Sequence, residues 1–178
     1  DMPFNTYKNK SQALKNCKKV MKETRCDGIK LEGGRKVSEI IKHLVKNKIP
    51  VMGHIGITPQ SVRGKFKYKG KSEIEKKNLL KDSKLLEEAG AFAIVLECIE
   101  KKLSKEITET INIPSIGIGS SKFCDGQILV SDDLLGLTDN KIKFVKKYAN
   151  LKSNIRNAVK KFKSEVKKGT YPSIKYSY

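Results

Sequence analysis

The sequence contains no tryptophan, only two histidines, and no apolar run near the length of about 20 residues that a membrane span needs. Its four cysteines, Cys17, Cys26, Cys98 and Cys124, form no CxxC pair, so a zinc finger is not supported. They lie in core-like or strand-like surroundings, which favours reduced thiols. No signal peptide is visible at Asp1. We therefore expect a cytoplasmic protein without a membrane span.

Arginine is also scarce, although the chain is strongly basic. The net charge is +19, yet only four of the 38 basic residues are arginine. Proteins that read nucleic-acid sequence rely on arginine, whose planar fork binds guanine and phosphate in a bidentate manner. The lysines are scattered along the chain and not clustered on one element. This pattern favours a solvated, lysine-rich surface over a nucleic-acid-binding face.

Short apolar runs alternate with amphipathic helical stretches. Because strands that are apolar throughout are typical of a parallel sheet covered by helices, the pattern predicts an α/β fold. No GxGxxG or GxxxxGK[ST] motif is present, so neither a dinucleotide fold nor a P-loop is favoured. The predicted strands are 27–31, 50–54, 92–98, 114–118 and 126–130, with a sixth that could end at Asp1–Phe4. The predicted helices are 36–48, 74–89 (closed by Gly90), 103–110 and 141–168.

Polar residues follow several of these strands at the point where each strand ends. Glu32, His54 and Glu97 occupy such positions. In βα proteins the catalytic groups lie at the carboxyl ends of strands. A buried acid without a partner is costly, and it therefore needs a structural or chemical reason. The pattern predicts an active-site rim at this edge of the sheet.

Each candidate site residue has a structural interpretation as well as a functional one. Asp1 and Glu32 could ligate Mg²⁺, which prefers carboxylate oxygens, or they could cap helices. Glu97 could be a general base or the partner of a lysine in a salt bridge. His54 could donate a hydrogen bond to a substrate oxygen or be structural. Lys30 could hold an anionic substrate, an idea with little force among so many lysines.

Several motifs resemble one enzyme family, the ketopantoate hydroxymethyltransferases. The run Val51-Met-Gly-His-Ile-Gly-Ile-Thr-Pro-Gln-Ser-Val62 is specific to that family, and the order and spacing of the motifs fit almost the whole chain. The other matching stretches are Asp1-Met-Pro-Phe4, Ile29-Lys-Leu-Glu-Gly-Gly34, Leu86-Glu-Glu-Ala-Gly-Ala-Phe92, Ile94-Val-Leu-Glu-Cys98, Ile113-Pro-Ser-Ile-Gly-Ile-Gly119, Asp125-Gly-Gln-Ile-Leu-Val130 and Gly169-Thr-Tyr-Pro172.

The resemblance implies a fold. Members of the family are TIM (β/α)8 barrels of the phosphoenolpyruvate/pyruvate superfamily type. The chain resembles such a barrel from the end of its third strand onward, so about the first three strands are missing, with their Tyr-Asp and Gly-Asp-Ser motifs. On this interpretation residues 1–178 form a single domain, a partial barrel of an amino-terminally truncated member.

The resemblance also implies an activity. The family transfers a hydroxymethyl group from 5,10-methylenetetrahydrofolate to 3-methyl-2-oxobutanoate, which gives 2-dehydropantoate in the first step of pantothenate and coenzyme A biosynthesis. It implies that Asp1 and Glu32 ligate Mg²⁺, that Lys30 and His54 bind the keto-acid, and that Glu97 is the catalytic base. Family members form large homo-oligomers, decamers in bacteria, so a homo-oligomer is expected here.

The chain departs from the family pattern at three places. The family's Gly-Gly-Tyr-Lys-Val-Gln-Gly loop appears as Gly64-Lys-Phe-Lys-Tyr-Lys-Gly70. The family loop lies near the active-site mouth, so the sequence gives no prediction of whether this loop closes the mouth. Its Gly-Ile-Gly-Ala-Gly appears as Gly117-Ile-Gly-Ser-Ser121, with one flexible glycine fewer near the folate side. Its Gly-Ala before the fourth strand appears as Arg25-Cys26. These departures fit either drift or lost activity.

Three rival interpretations stay open. The first is an inactive truncated homologue. The second is a related barrel lyase or mutase with Mg²⁺-enolate chemistry, although such enzymes lack the Thr-Pro-Gln-Ser-Val run after the strand that carries His54. The third is a basic nucleic-acid-binding protein, for which the charge is the argument; salt-dependent binding of RNA or DNA would favour it.

Overall fold

The computed structural model describes residues 1–61 and 67–178, in two units, Asp1–Ile128 and Leu129–Tyr178. A single domain over 1–178 stays a prediction. Among the described residues no helix has both the length and the apolar character needed to cross a membrane. The first unit consists of α1 (Lys10–Thr24), β1 (Ile29–Glu32), α2 (Arg35–Lys46), β2 (Val51–Gly56), α3 (Glu73–Glu88), β3 (Ala93–Glu97), α4 (Lys101–Thr110), β4 (Ser115–Ile118) and β5 (Gly126–Gln127).

The five strands form one sheet in the order β1-β2-β3-β4-β5, and every neighbouring pair is parallel. The predicted parallel α/β fold with sequential strand order is therefore confirmed. The last strand is shorter than predicted, because only Gly126 and Gln127 pair with β4. Closure of the sheet into a barrel, and the missing strands, stay predictions.

One face of the sheet packs against helices. Leu31, Ile55, Ile94 and Leu96 are buried on this face and belong to the same apolar cluster as residues of α2, α3 and α4. A side chain at Gly53 would meet Leu86 of α3 at 2.7 Å, so glycine is what lets this helix lie so close to β2. Replacing a fully buried leucine of this kind with alanine lowers the free energy of unfolding by about 2–5 kcal/mol.

The first unit differs from the sequence prediction at α1 and at Asp1–Phe4. The helix α1 was not predicted, because lysines separate its few apolar residues; Ala13 and Cys17 are the ones it buries. The predicted strand end at Asp1–Phe4 is not a strand, although the Met2 N–H donates to the Lys30 carbonyl at 3.0 Å and so follows the edge of β1. The Gly90 end of α3 is confirmed, with φ at +89°.

The second unit contains α5 (Ser131–Leu134), α6 (Leu151–Lys167) and a 3₁₀ turn (Ile174–Tyr176). The helix predicted over 141–168 was wrong at its start, because Asn150 caps α6 by accepting a hydrogen bond from the Ser153 N–H. Within the unit, the Tyr148 and Leu151 N–H groups donate to the carbonyls of Leu134 and Leu135. These bonds join the segment before α6 to the end of α5.

Candidate active site

Four of the predicted site residues share the sheet face opposite the helices. Side chains alternate between the two faces of a strand, so Lys30 and Glu32 of β1 point the same way. The register pairs Glu32 with His54 of β2, and it pairs Gly56, two residues after His54, with Glu97 of β3. Lys30, Glu32, His54 and Glu97 therefore lie on one face, at the carboxyl ends of three adjacent strands.

His54 is the centre of this group. Its side chain is buried, with Nδ1 3.2 Å from Lys30 Nζ and Nε2 3.3 Å from Glu97 Oε2. The second contact is within ion-pair distance but out of line with the ring N–H, so within the described part of the chain Nε2 makes no hydrogen bond. A buried polar nitrogen without a hydrogen bond is costly. It is therefore a polar atom available to a bound molecule.

Lys30 faces several carboxylates. Its Nζ lies 2.6 Å from Asp1 Oδ1. Burial lowers the pKa of Lys30 from its usual value, while the charges of Glu32 and Glu97 act to raise it. A half-buried ammonium that is already held in place by a histidine and a carboxylate can form a charge-assisted hydrogen bond to a further oxygen anion.

Glu32 is buried at the end of β1. Its Oε2 accepts a hydrogen bond from the Gln60 N–H at 3.1 Å, and in the described residues it has no ion-pair partner within 4 Å. Burial raises the pKa of nearby Tyr7; a hydrogen bond from the Glu32 backbone opposes this rise and the Glu32 charge adds to it. Glu32, Tyr7 and Lys36 line a cleft of about 340 Å³. Glu32 therefore borders this cleft.

Two glycine-rich turns shape the ends of the strands. After Glu32, Gly33 has φ at +125°, a conformation that L side chains rarely adopt. Gly56 has φ at +100°, and a Cβ there would lie 2.1 Å from the Glu97 carbonyl oxygen, which accepts the Ile57 N–H at 2.9 Å. The turn after β2 therefore lies directly against the end of β3.

The loop that departs from the family pattern, residues 64–70, is described only from Lys67 onward, since 62–66 lie outside the described residues. The same holds for Val62, the last residue of the family-specific run. In the described part, the Lys69 N–H donates to the Cys98 carbonyl and the Lys69 carbonyl accepts the Glu100 N–H, both at 2.8 Å. The end of the loop is thus attached to the segment after β3.

The Asp1 and Glu32 metal assignment is not tested by the geometry. The described residues contain no group of three or more histidine, cysteine, aspartate or glutamate side chains placed to hold a metal ion. The Asp1 carboxylate contacts Lys30, and Glu32 contacts a backbone N–H. The assignment therefore stays a prediction.

The structure brings together residues that the sequence interpretation did not single out. Tyr7 and Gln60 flank Glu32, and Gln60 lies within the family-specific run, which was the available signal. Ser120 hydrogen-bonds to the backbone on both sides of the turn after Glu97. For Ser120 the only signal was its departure from the family pattern.

Comparisons with known proteins agree with the resemblance. The family model for ketopantoate hydroxymethyltransferase matches residues 1–174. Proteins named 3-methyl-2-oxobutanoate hydroxymethyltransferase are 57% identical in Pelagibacter ubique, over 178 residues, and 54% identical in Clostridium kluyveri, over 182 residues. The alignments cover 100% of this chain but 69% and 65% of those relatives, so it spans about two thirds of their length.

A relative in Syntrophus aciditrophicus with the same name is 46% identical and is covered to 67% of its length. A crystal structure of dihydrodipicolinate synthase aligns with 65% of this chain and 42% of its own, at a TM-score of 0.40 and 15% identity, a likeness too slight to support an argument. The match of the family model over nearly the whole chain is decisive, and the chain belongs to the ketopantoate hydroxymethyltransferase family.

Proposed function

We propose that the protein containing this chain transfers a hydroxymethyl group from 5,10-methylenetetrahydrofolate to 3-methyl-2-oxobutanoate and forms 2-dehydropantoate. The observation that carries the proposal is the contact series Lys30–His54–Glu97 on one sheet face, in a chain of this family. The three groups suit the reaction because it needs a cation for a carboxylate, a donor for an oxygen, and a base for a carbon-bound proton.

Lys30 binds the carboxylate of the keto-acid. Its ammonium is partly buried, so an ion pair with the substrate is stronger than at the surface. The substrate carboxylate takes a place beside Asp1 at the same nitrogen. The proposal requires the acidic hydrogen of the bound substrate to lie on the side of Glu97, at the end of β3.

Glu97 removes the proton from the tertiary carbon of the substrate. The resulting enolate carbon forms a bond to the methylene carbon of the folate donor. Both carbon–nitrogen bonds of that methylene break, water supplies the oxygen of the new hydroxyl group, and the tetrahydrofolate that leaves takes up one proton from Glu97 and one from water. His54 holds a substrate oxygen through Nε2, which in the described structure has no hydrogen bond of its own. The ring is fixed by Lys30 at its other nitrogen.

Asp1 and Glu32 are proposed to hold Mg²⁺. Glu32 fits this role because it is a buried carboxylate whose one side-chain hydrogen bond, among the described residues, comes from a backbone N–H. A carboxylate in such a place is stabilised by a cation. When bound, Mg²⁺ supplies a positive charge that stabilises the developing enolate oxygen.

The fold, the assembly and the location belong to the same proposal. The five parallel strands are proposed to be part of a (β/α)8 barrel from which about three strands are missing. The protein is proposed to be a cytoplasmic homo-oligomer. Its small-molecule partners are the keto-acid and the folate.

Product formation tests the proposed function. The complete protein is incubated with Mg²⁺, 3-methyl-2-oxobutanoate and 5,10-methylenetetrahydrofolate, and 2-dehydropantoate is measured by mass spectrometry. We expect product that depends on both substrates. Absence of product, with a folded protein, would favour the inactive homologue, and an enolate-derived product without folate would favour a lyase or mutase.

A further inference from the structure

The turn after β3 has an unusual backbone conformation. Cys98, which directly follows Glu97, has φ at +50°, in the left-handed region that residues other than glycine rarely adopt. Such conformations persist only where the surrounding contacts hold them, and they are concentrated at functional sites. The direction of the Glu97 carboxylate depends on this turn, because the turn fixes the backbone immediately after it.

Backbone hydrogen bonds hold the turn at its centre. The Cys98 N–H donates to the Ile118 carbonyl at 2.8 Å, and the Cys98 carbonyl accepts the Lys69 N–H at 2.8 Å. These bonds come from β4 and from the end of the loop after β2. They leave the N–H of Ile99, just after the turn, to be held by another group.

Ser120 holds this N–H, and the same hydroxyl group also bonds to β3. Its Oγ donates to the Leu96 carbonyl at 2.6 Å and accepts the Ile99 N–H at 3.1 Å. Ile99 is buried, and its N–H has Ser120 as hydrogen-bond partner in the part of the chain that the structure describes. Loss of the hydroxyl would leave a buried N–H without a partner, which is more costly than loss of a surface bond.

We infer that Ser120 is a positioning residue for Glu97, an inference that rests on the proposed function. The hydroxyl joins the residue before Glu97 to the residue after Cys98, and so it closes the left-handed turn. Closure keeps the Glu97 carboxylate beside His54, at 3.3 Å between Oε2 and Nε2. Ser120 acts through the backbone and does not touch the substrate.

One departure from the family pattern falls at this position. Where the family's motif has alanine, this chain has Ser120. In the family, the turn is therefore held without this hydroxyl. We expect removal of the Ser120 hydroxyl to slow the base step but not to abolish it. Removal of one neutral hydrogen-bonding group predicts a fall of roughly three- to tenfold in the rate of the base step.

The neighbouring residue offers a matched control. Ser121 lies in the same loop and is buried, but its Oγ accepts a hydrogen bond from the Phe123 N–H, within the loop itself. Ser121→Ala therefore removes a buried hydroxyl of the same loop without touching β3. Ser120→Thr keeps the hydroxyl at the bridging position and tests rescue.

The experiment compares Ser120→Ala, Ser120→Thr and Ser121→Ala in the complete protein. Two quantities are measured: the hydrogen-exchange rate of the Ile99 amide, and deuterium wash-in to 3-methyl-2-oxobutanoate without folate. We expect Ser120→Ala to speed Ile99 exchange and to slow wash-in roughly three- to tenfold. The KM for the keto-acid should stay within about twofold, since Lys30 is unchanged. Ser120→Thr should restore both rates, and Ser121→Ala should change neither.

The outcomes separate the inference from the proposed function. Faster Ile99 exchange with unchanged wash-in in Ser120→Ala would overturn the positioning role. Equal effects of Ser120→Ala and Ser121→Ala would also overturn it, since they would reflect general damage to the loop. A wild-type protein that folds but shows no wash-in would remove the proposed function itself.

Discussion

His54 Nε2 lies 3.3 Å from Glu97 Oε2, across the parallel strands β2 and β3. The same imidazole ring has its other nitrogen 3.2 Å from Lys30 Nζ. The histidine therefore joins the group proposed to bind the substrate to the group proposed to remove its proton. The relationship depends on the strand register, because a slip by one residue would turn one of the two side chains to the helical face.

Lys30→Met tests the proposed binding of the substrate carboxylate. The change keeps the length of the side chain but removes its charge. Loss of a charge-assisted hydrogen bond predicts a rise of roughly 10- to 100-fold in the KM for the keto-acid. Steady-state kinetics of the complete protein measure it. Lys10→Met is the control, because the Lys10–Glu39 pair is exposed at the surface. Equal KM values in the two variants would contradict the binding role.

Glu32→Gln tests the metal assignment. The amide keeps the shape of the side chain but loses the negative charge, so Mg²⁺ affinity should fall by about tenfold or more. Calorimetric titration of the complete protein with Mg²⁺ measures it. Residues 1–178 alone should bind the ion weakly or not at all, because the resemblance implies that a further metal-ligating aspartate belongs to the missing Tyr-Asp and Gly-Asp-Ser motifs. Glu39→Gln, at an exposed carboxylate, is the control. If Glu32→Gln bound Mg²⁺ as tightly as this control, Glu32 would not be a ligand.

Gly34→Ala tests how the turn after Glu32 is held. A Cβ at Gly34 would lie 2.3 Å from the Asp82 carboxylate, which accepts hydrogen bonds from Arg35 N at 3.2 Å and Nε at 2.6 Å. The clash should lower the free energy of unfolding by about 1–3 kcal/mol, measured with urea. In an Asp82→Ala background the same substitution should cost less, since the carboxyl group is gone and only the Cβ at position 82, at 2.6 Å, remains close. An equal cost in both backgrounds would show that the clash is not the cause.

Cys98 should be an unreactive thiol at neutral pH. Burial raises its pKa to about 11, and the neighbouring charge of Glu97 adds to this effect. Only the thiolate is nucleophilic, so a raised pKa delays reaction to higher pH. The alkylation rate at Cys98, read by peptide mass spectrometry, should rise with a midpoint near pH 11. In denaturant the midpoint should fall to the ordinary value near pH 9. Identical midpoints in the two states would contradict a buried thiol.

The sequence was sufficient to predict the parallel sheet and the edge of the sheet at which the candidate residues lie. The apolar runs around residues 29, 51, 95 and 117 correspond to four parallel strands in sequential order. Polar residues directly after these strands predicted the rim, because catalytic groups of βα proteins lie at the carboxyl ends of the strands. Apolar runs and the residues that follow them are local properties of the chain, and they can therefore be read without tertiary contacts.

Features that depend on tertiary contacts were not predicted. The helix α1 buries Ala13 and Cys17 among many lysines, and its weak apolar pattern does not stand out. The Lys30 contacts with Asp1 and His54 require the sheet register and the path of the first residues. The bridge made by Ser120 joins two loops that are 21 residues or more apart in sequence. No local pattern specifies such pairs.

The most direct test of the account is deuterium wash-in to 3-methyl-2-oxobutanoate, catalysed by the complete protein without folate. This measurement follows removal of the proton from the tertiary carbon and nothing later in the reaction. Glu97→Gln keeps the shape of the side chain but removes the basic oxygen. The account predicts that Glu97→Gln loses the exchange while keto-acid binding is largely kept, because Lys30 holds the carboxylate independently. Exchange at the wild-type rate in Glu97→Gln would show that another group is the base, and Glu97 would then be a structural partner of His54.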